Sequence, residues 1–200
     1  MYVLGIDPGF ANVGYAVVSL AATYDHVLAM GLIRTEKAAK KTKTRASEDN
    51  LVRAKEIAAE LASIIDKYKI SVICAETMSY PRNAAAAAKM AMCWGVIATL
   101  AHRYNLPVTQ ASPQEIKKSL CGRKDASKED VQDAIHKLFP VTDNRVTNCV
   151  RPSILQAVPL SMREHPFDAL AAVVACKESE VLLLARRMSH ARSEQGDPSR

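Results

Sequence analysis

The chain has 200 residues, 48% of them hydrophobic, and a formal net charge of +6. That length carries one domain with a substantial core and is too short for two full α/β domains. No run approaches the roughly 20 consecutive apolar residues of a membrane span, and Met1 leads into a strand pattern instead of a basic and then apolar leader, so no membrane partner and a cytoplasmic location are expected.

The chain opens with three strand patterns, "YVLGID" (2–7), "VGYAVVSL" (13–20) and "HVLAMGLIRT" (26–35), separated by Gly, Asn and polar turn signals. They predict two consecutive antiparallel hairpins. A basic linker follows, and then Leu51, Ala54, Ile57, Ala58, Leu61, Ile64 and Ile65 recur with helical period behind Ser47, the predicted N-cap. "ISVICAE" (70–76) reads as a strand buried on both faces. "NAAAAAKMAMCWGVIATLAHRY" (83–104) predicts a long helix with a small-residue face, "LPVTQA" (106–111) a short strand, and "SPQEIKKSL" (112–120) a helix with a Ser-Pro start. "SKEDVQDAIHKLF" (127–139) adds a helix with a capping pattern. From 141 to 163 the period is lost, "HPFDALAAVVACKESEVLLLARR" makes one final helix, and 189–200 forms a polar tail. The expected organisation is a single domain over 1–188, an α/β fold in which helices flank a mixed five-stranded sheet.

Two segments concentrate the positive charge. Arg34 to Arg45 carries six basic residues against one acidic, and Lys117 to Lys128 carries five against one. Each alone reads equally well as solvated surface; two on one small domain point to nucleic acid. The five cysteines, Cys74, Cys93, Cys121, Cys149 and Cys176, form no C-x-x-C pair, which suggests neither a zinc site nor a disulfide framework.

Three carboxylates stand where apolar elements stop. Asp7 closes the first strand, Glu76 closes the fourth, and Asp168 enters the apolar face of the last helix three residues after His165. That spacing puts His165 and Asp168 side by side. Each acid alone could be a cap or a surface group. Three together at one sheet edge repel and raise each other's pKa unless a cation neutralises them, and a divalent metal is the economical explanation. A phosphotransferase loop of the actin and sugar-kinase type also follows a strand with Asp-x-Gly. Here "DPGFANVG" offers no hydroxyl, and no second glycine-rich phosphate motif follows.

The segments "GIDPGFANVGYAVV", "AETMSYPRNAAAAAKMAMCWGV", "PVTQASPQEIKKSLCGRKDASKEDVQ" and "HPFDALAAVVAC" resemble, in order and nearly in spacing, those of RuvC-type Holliday junction resolvases of the ribonuclease-H-like superfamily. The resemblance implies a ribonuclease-H-like fold and hydrolysis of four-way DNA junctions. It implies that Asp7, Glu76 and Asp168 are metal-binding and catalytic, that His165 is a fourth ligand or proton relay, and that Lys117, a catalytic residue, and Lys128 face DNA phosphates. Arg82 and Lys124 are further candidate DNA contacts. Hard oxygen donors suit Mg2+, the imidazole admits Mn2+, and two ions about 4 Å apart suit phosphodiester hydrolysis. A two-fold junction implies a symmetric homodimer, for which the face of Ala84, Ala87, Ala91, Gly95 and Ala98 is the candidate.

Two departures bear on specificity. Where the family often has an aromatic wedge, this chain has Ser79, with Tyr80 next to it as a candidate stacking residue. The 141–163 excursion is longer than the family's usual link and adds Arg145, Arg151 and Arg163, either as DNA contacts or as surface loop. The alternatives left open are a nuclease that cuts other branched DNA, such as forks and flaps, and a non-catalytic DNA-binding relative.

Overall fold

Successive side chains of a strand face opposite ways. In β1 (Tyr2–Asp7), Leu4 and Ile6 enter one core layer and Val3 the other, so Gly5 and Asp7 lie on the Val3 side. The computed structural model describes residues 1–21, 25–39, 44–78, 82–143 and 148–194. Ser79, Tyr80, Arg145 and the end of the chain from 195 lie outside the described residues.

β1 pairs antiparallel with β2 (Asn12–Leu20), which pairs antiparallel with β3 (Asp25–Arg34). β4 (Val72–Glu76) lies parallel to β1, and β5 (Val108–Ala111) parallel to β4. The order β3-β2-β1-β4-β5 is the predicted mixed five-stranded sheet. Because Ile6 is in register with Ala75, Asp7 and Glu76 end adjacent strands on the same face. Val72 and Cys74 share that face while Ile73 and Ala75 point the other way.

Helices α1 (Ala46–Tyr68) and α2 (Ala84–Arg103) cover the Leu4 face, through Ile57, Leu61 and Ile65 from α1 and Cys93, Ile97 and Leu100 from α2. The Val3 face is covered by α3 (Pro113–Cys121), α4 (Lys128–Leu138), α5 (Glu164–Cys176) and α6 (Glu180–Glu194). The Asn83 side chain accepts from the Ala85 and Ala86 amides, and Ser112 and Ser127 cap α3 and α4 as the sequence predicts. Ser47 does not cap α1. The helix begins at Ala46, and the Glu48 carboxylate accepts the Arg45 amide instead. By length and composition α2 is apolar enough to cross a membrane, although Lys89 interrupts its apolar run and about a fifth (22%) of its apolar window is buried in the fold.

The last helix is two helices. Lys177 forms an ion pair with the buried Asp25 at the start of β3, and Ser179 caps α6 by accepting the Leu182 amide at 3.3 Å. α6 runs on to Glu194, so the segment expected as a polar tail from 189 starts inside it. The excursion also folds, with two 3-10 turns at Pro152–Leu155 and Leu160–Met162 and with Val150, Leu155 and Val158 buried. Arg163 donates to the Val158 and Leu155 carbonyls, which uses its guanidinium within the excursion, whereas Arg151 is exposed.

Candidate active site

The rigid ends of β1 and β4 fix Asp7 and Glu76, and the first turn of α5 brings His165 and Asp168 to them. That approach depends on two glycines. A Cβ on Gly14 would stand 2.2 Å from the His165 carbonyl oxygen, and one on Gly5 2.3 Å from that of Ala169. Gly14 is the register partner of Asp7, so the helix sits on bare backbone next to the acid it must reach.

Asp7, His165 and Asp168 each offer a ligand atom, all within 4.8 Å of one another. His165 Nδ1 lies 2.9 Å from Asp7 Oδ2, and this bond is the largest cause of the raised His165 pKa. Glu76 stands beside the trio and outside its 4.8 Å cluster. Glu76 lines an open groove of about 270 Å3 together with Lys117, Lys128, Asp168, Ile116 and Val131. Burial, then the charges of Asp7 and Asp168, push Glu76 up to about 7. Burial, then Asp7, push Asp168 up to about 6. Crowded, desolvated carboxylates of this kind are relieved by a divalent cation, and a set of carboxylate oxygens with one imidazole nitrogen fits Mg2+ or Mn2+. The donors present therefore fit a metal centre.

The basic residues divide. Lys128, the first residue of α4, pairs with Glu164 at 2.8 Å and stands 3.8 Å from Asp168 Oδ2. That hydrogen bond raises its pKa and lowers that of Glu164. Lys117 borders the same groove. Lys124, exposed in the α3–α4 turn, acts on Glu115 rather than on the acid cluster. Arg82 is exposed just ahead of α2, and Tyr80 lies outside the described residues.

Sequence reasoning missed three supports. Arg53 is buried on α1, its guanidinium 4.7 Å from the Phe10 ring centroid, and it donates to the Thr35 hydroxyl at 2.9 Å and the Phe10 carbonyl at 3.3 Å. It thereby ties the turn that follows Asp7 to the end of β3. The signal was its place four residues before Ile57 and eight before Leu61, in the buried row of the helix. Gln132 donates from Nε2 to Asp168 Oδ1 at 2.7 Å, and Glu164 holds Lys128; neither leaves a mark in spacing.

The family model described as crossover junction endodeoxyribonuclease RuvC matches residues 3–153. Among curated relatives, the crossover junction endodeoxyribonuclease RuvC of Pseudothermotoga lettingae is 35% identical over 139 residues, 70% of this chain and 80% of the relative. That of Chloroherpeton thalassium is 33% identical over 146 residues, 73% of this chain and 74% of the relative. Among solved structures, T. thermophilus RuvC in complex with a Holliday junction substrate superposes with a TM-score of 0.65 at 23% identity, covering 88% of this chain and 92% of that one. The yeast mitochondrial Holliday junction resolvase Ydc2 does so with 0.57 at 13% identity, covering 96% and 83%. These folds agree with the sheet order and helix layers described above, and, with a model match over three quarters of its length, the chain belongs to the crossover junction endodeoxyribonuclease RuvC family.

Proposed function

We propose that this chain is a metal-dependent, structure-selective endodeoxyribonuclease that resolves four-way DNA junctions by paired phosphodiester hydrolysis. The observation that carries the reading is the meeting of Asp7, His165 and Asp168 within 4.8 Å, beside Glu76, at a sheet edge bordered by Lys117 and Lys128.

Asp7, His165 and Asp168, with Glu76 at their side, would hold Mg2+, or Mn2+ as the softer imidazole allows, in a pair of ions per site. Bound there, such ions polarise a phosphodiester and acidify a coordinated water. The chain's own groups do the positioning. Asp7 Oδ2 holds the His165 ring by Nδ1, and the strand ends keep the carboxylates from spreading under their mutual repulsion. Lys117 and Lys128 bring positive charge to the groove, where DNA phosphate oxygens replace Glu164 as partners of Lys128. Arg82 and Lys124 extend the phosphate-binding surface, and Tyr80 is the candidate to stack on a base. The setting is one nuclease domain that runs through the end of α6 at Glu194, in the cytoplasm, where its thiols stay reduced.

Two symmetric cuts call for two copies of the site. A homodimer is supported by α2, whose Ala84, Ala88, Ala91, Gly95 and Ala98 form an exposed row at helical spacing, while Ala87 is partly buried. Nothing lies within 4 Å of a Cβ placed on Gly95, so a second backbone can come close there.

The deciding experiment offers labelled four-way, three-way, flap and linear duplexes to the purified protein with Mg2+. Paired incision of the four-way junction is expected, and Asp7→Asn should bind the junction without cutting it, because phosphate contacts supply most of the affinity. Equal cutting of every branched form would replace the resolvase reading with a general branched-DNA nuclease. No metal-dependent cutting of any form would end the nuclease reading.

A further inference from the structure

Helix α4, which carries the DNA-facing Lys128, reaches the acid cluster twice. Lys128 and Gln132 are four residues apart, one above the other on the helix face. Lys128 Nζ stands 3.8 Å from Asp168 Oδ2, while Gln132 Nε2 donates to Asp168 Oδ1 at 2.7 Å. The two oxygens of Asp168 are thus differentiated: Oδ1 is held by a neutral amide, and Oδ2 has the longer approach of a flexible, exposed lysine.

We propose that Gln132 is a positioning residue for the metal centre, its amide fixing Asp168 so that Oδ2 alone is presented to the cation. The inference rests on the metal reading of the site. A neutral donor suits this role, since it orients the carboxylate without cancelling the charge that attracts the ion. The supporting shell of a metal site commonly acts in this way, and its loss typically weakens metal binding about 10- to 100-fold. The anchor is firm because Val131 and Ile135, on either side of Gln132 in sequence, are buried against the core that holds α5. Gln132 is itself only half-buried, so its side chain can be shortened or made apolar without opening a cavity.

The test titrates the full-length protein with Mn2+ by calorimetry, without DNA. Gln132→Met keeps the length of the side chain and lacks the donor. Its Mn2+ affinity is expected to fall about 10- to 100-fold, while in EDTA it still melts in a single cooperative transition and binds the junction like the parent protein. Cleavage by this variant should need correspondingly more metal and recover at saturation, a shift in metal requirement rather than in maximal rate. Gln132→Asn, whose amide is one methylene short, gives the same test should the first variant fold poorly. Parental Mn2+ affinity in a folded Gln132 variant, with Asp168→Asn having lost it, would overturn this inference and leave the metal site standing. If Asp168→Asn bound Mn2+ like the parent, the metal reading itself would fall, and the inference with it.

Discussion

The glycine under the site gives the sharpest test of how the fold makes the chemistry. In Gly14→Ala the new methyl would stand 2.2 Å from the His165 carbonyl oxygen, where ordinary contact begins at 3.4 Å, a shortfall of about 1.2 Å. It would also stand 2.4 Å from the carbonyl carbon of the same residue. These are backbone atoms of a helix and cannot rotate away, so α5 must lift or β2 must sink by about that distance. Overpacking of this kind costs about 1–3 kcal/mol, which for a chain of this size lowers the melting temperature by about 2–4 °C per kcal/mol. The site should suffer more than the fold. His165 and Asp168 ride on the displaced turn, Asp7 does not, and a 1 Å misplacement of reacting groups costs on the order of 100-fold in rate. The assay compares single-turnover cleavage of a labelled four-way junction by the parent and variant at saturating Mg2+, with junction binding measured in EDTA. Cleavage should fall about 100-fold with binding retained. A folded Gly14→Ala protein that cut within a few-fold of the parent would refute the claim that close approach of α5 assembles the site.

Other expectations follow from the same geometry. Without metal, Glu76 titrates at about 7 and Asp168 at about 6, both above the usual carboxylate range, and His165 is raised as well. The folded state therefore holds more protons than the unfolded one between about pH 4.5 and 7 and loses stability as the pH rises through that window; melting in EDTA should show this decline, and Mg2+ should reverse it, above pH 7 most of all. Cleavage at fixed, limiting Mg2+ should rise through pH 6 to 7 as those protons leave, and a flat profile would contradict the assignment. Arg53→Met removes the guanidinium that Thr35 and Phe10 share and should cost about 1–3 kcal/mol, read from urea unfolding; an unchanged midpoint would show the buried cation to be dispensable. Ala91→Glu on the exposed row of α2 should give a monomer by analytical ultracentrifugation, and a dimer unaffected by it would place the interface elsewhere.

Much of the site is legible in the sequence because it follows from two periodicities. A period of two along "YVLGID" and "VICAE" places Asp7 and Glu76 on the face of Val3 and Val72, and a spacing of three places His165 beside Asp168. What the pattern does not contain is the distance between layers. Gly5 and Gly14 look like ordinary turn or strand glycines in the sequence, yet α5 rests on both. The same gap explains why Glu76 stands outside the tight trio and why no pattern marks Gln132, since both depend on how far α4 and α5 lean over the sheet. The break after Cys176 is hidden for another reason. The apolar period runs on through "VLLLA", and the break is made by tight backbone turns at Lys177 and Ser179, the ion pair of Lys177 with Asp25 and the cap at Ser179. In the excursion, loss of period does not mean loss of packing, because Val150, Leu155 and Val158 are core residues held by short-range turns.

Asp7 and His165 touch across 158 residues of chain. During synthesis β1, β4 and their helices emerge long before α5, so a growing chain has two of the acids and lacks both groups of the closing helix. Contacts of such long sequence separation form late because the loop between them must first be ordered. On the proposed reading of the site, hydrolysis requires α5 to be docked, because only then do His165 and Asp168 meet Asp7. On that same reading, a chain whose α5 has not docked holds Asp7 and Glu76 without their partners from the closing helix and would not cut DNA.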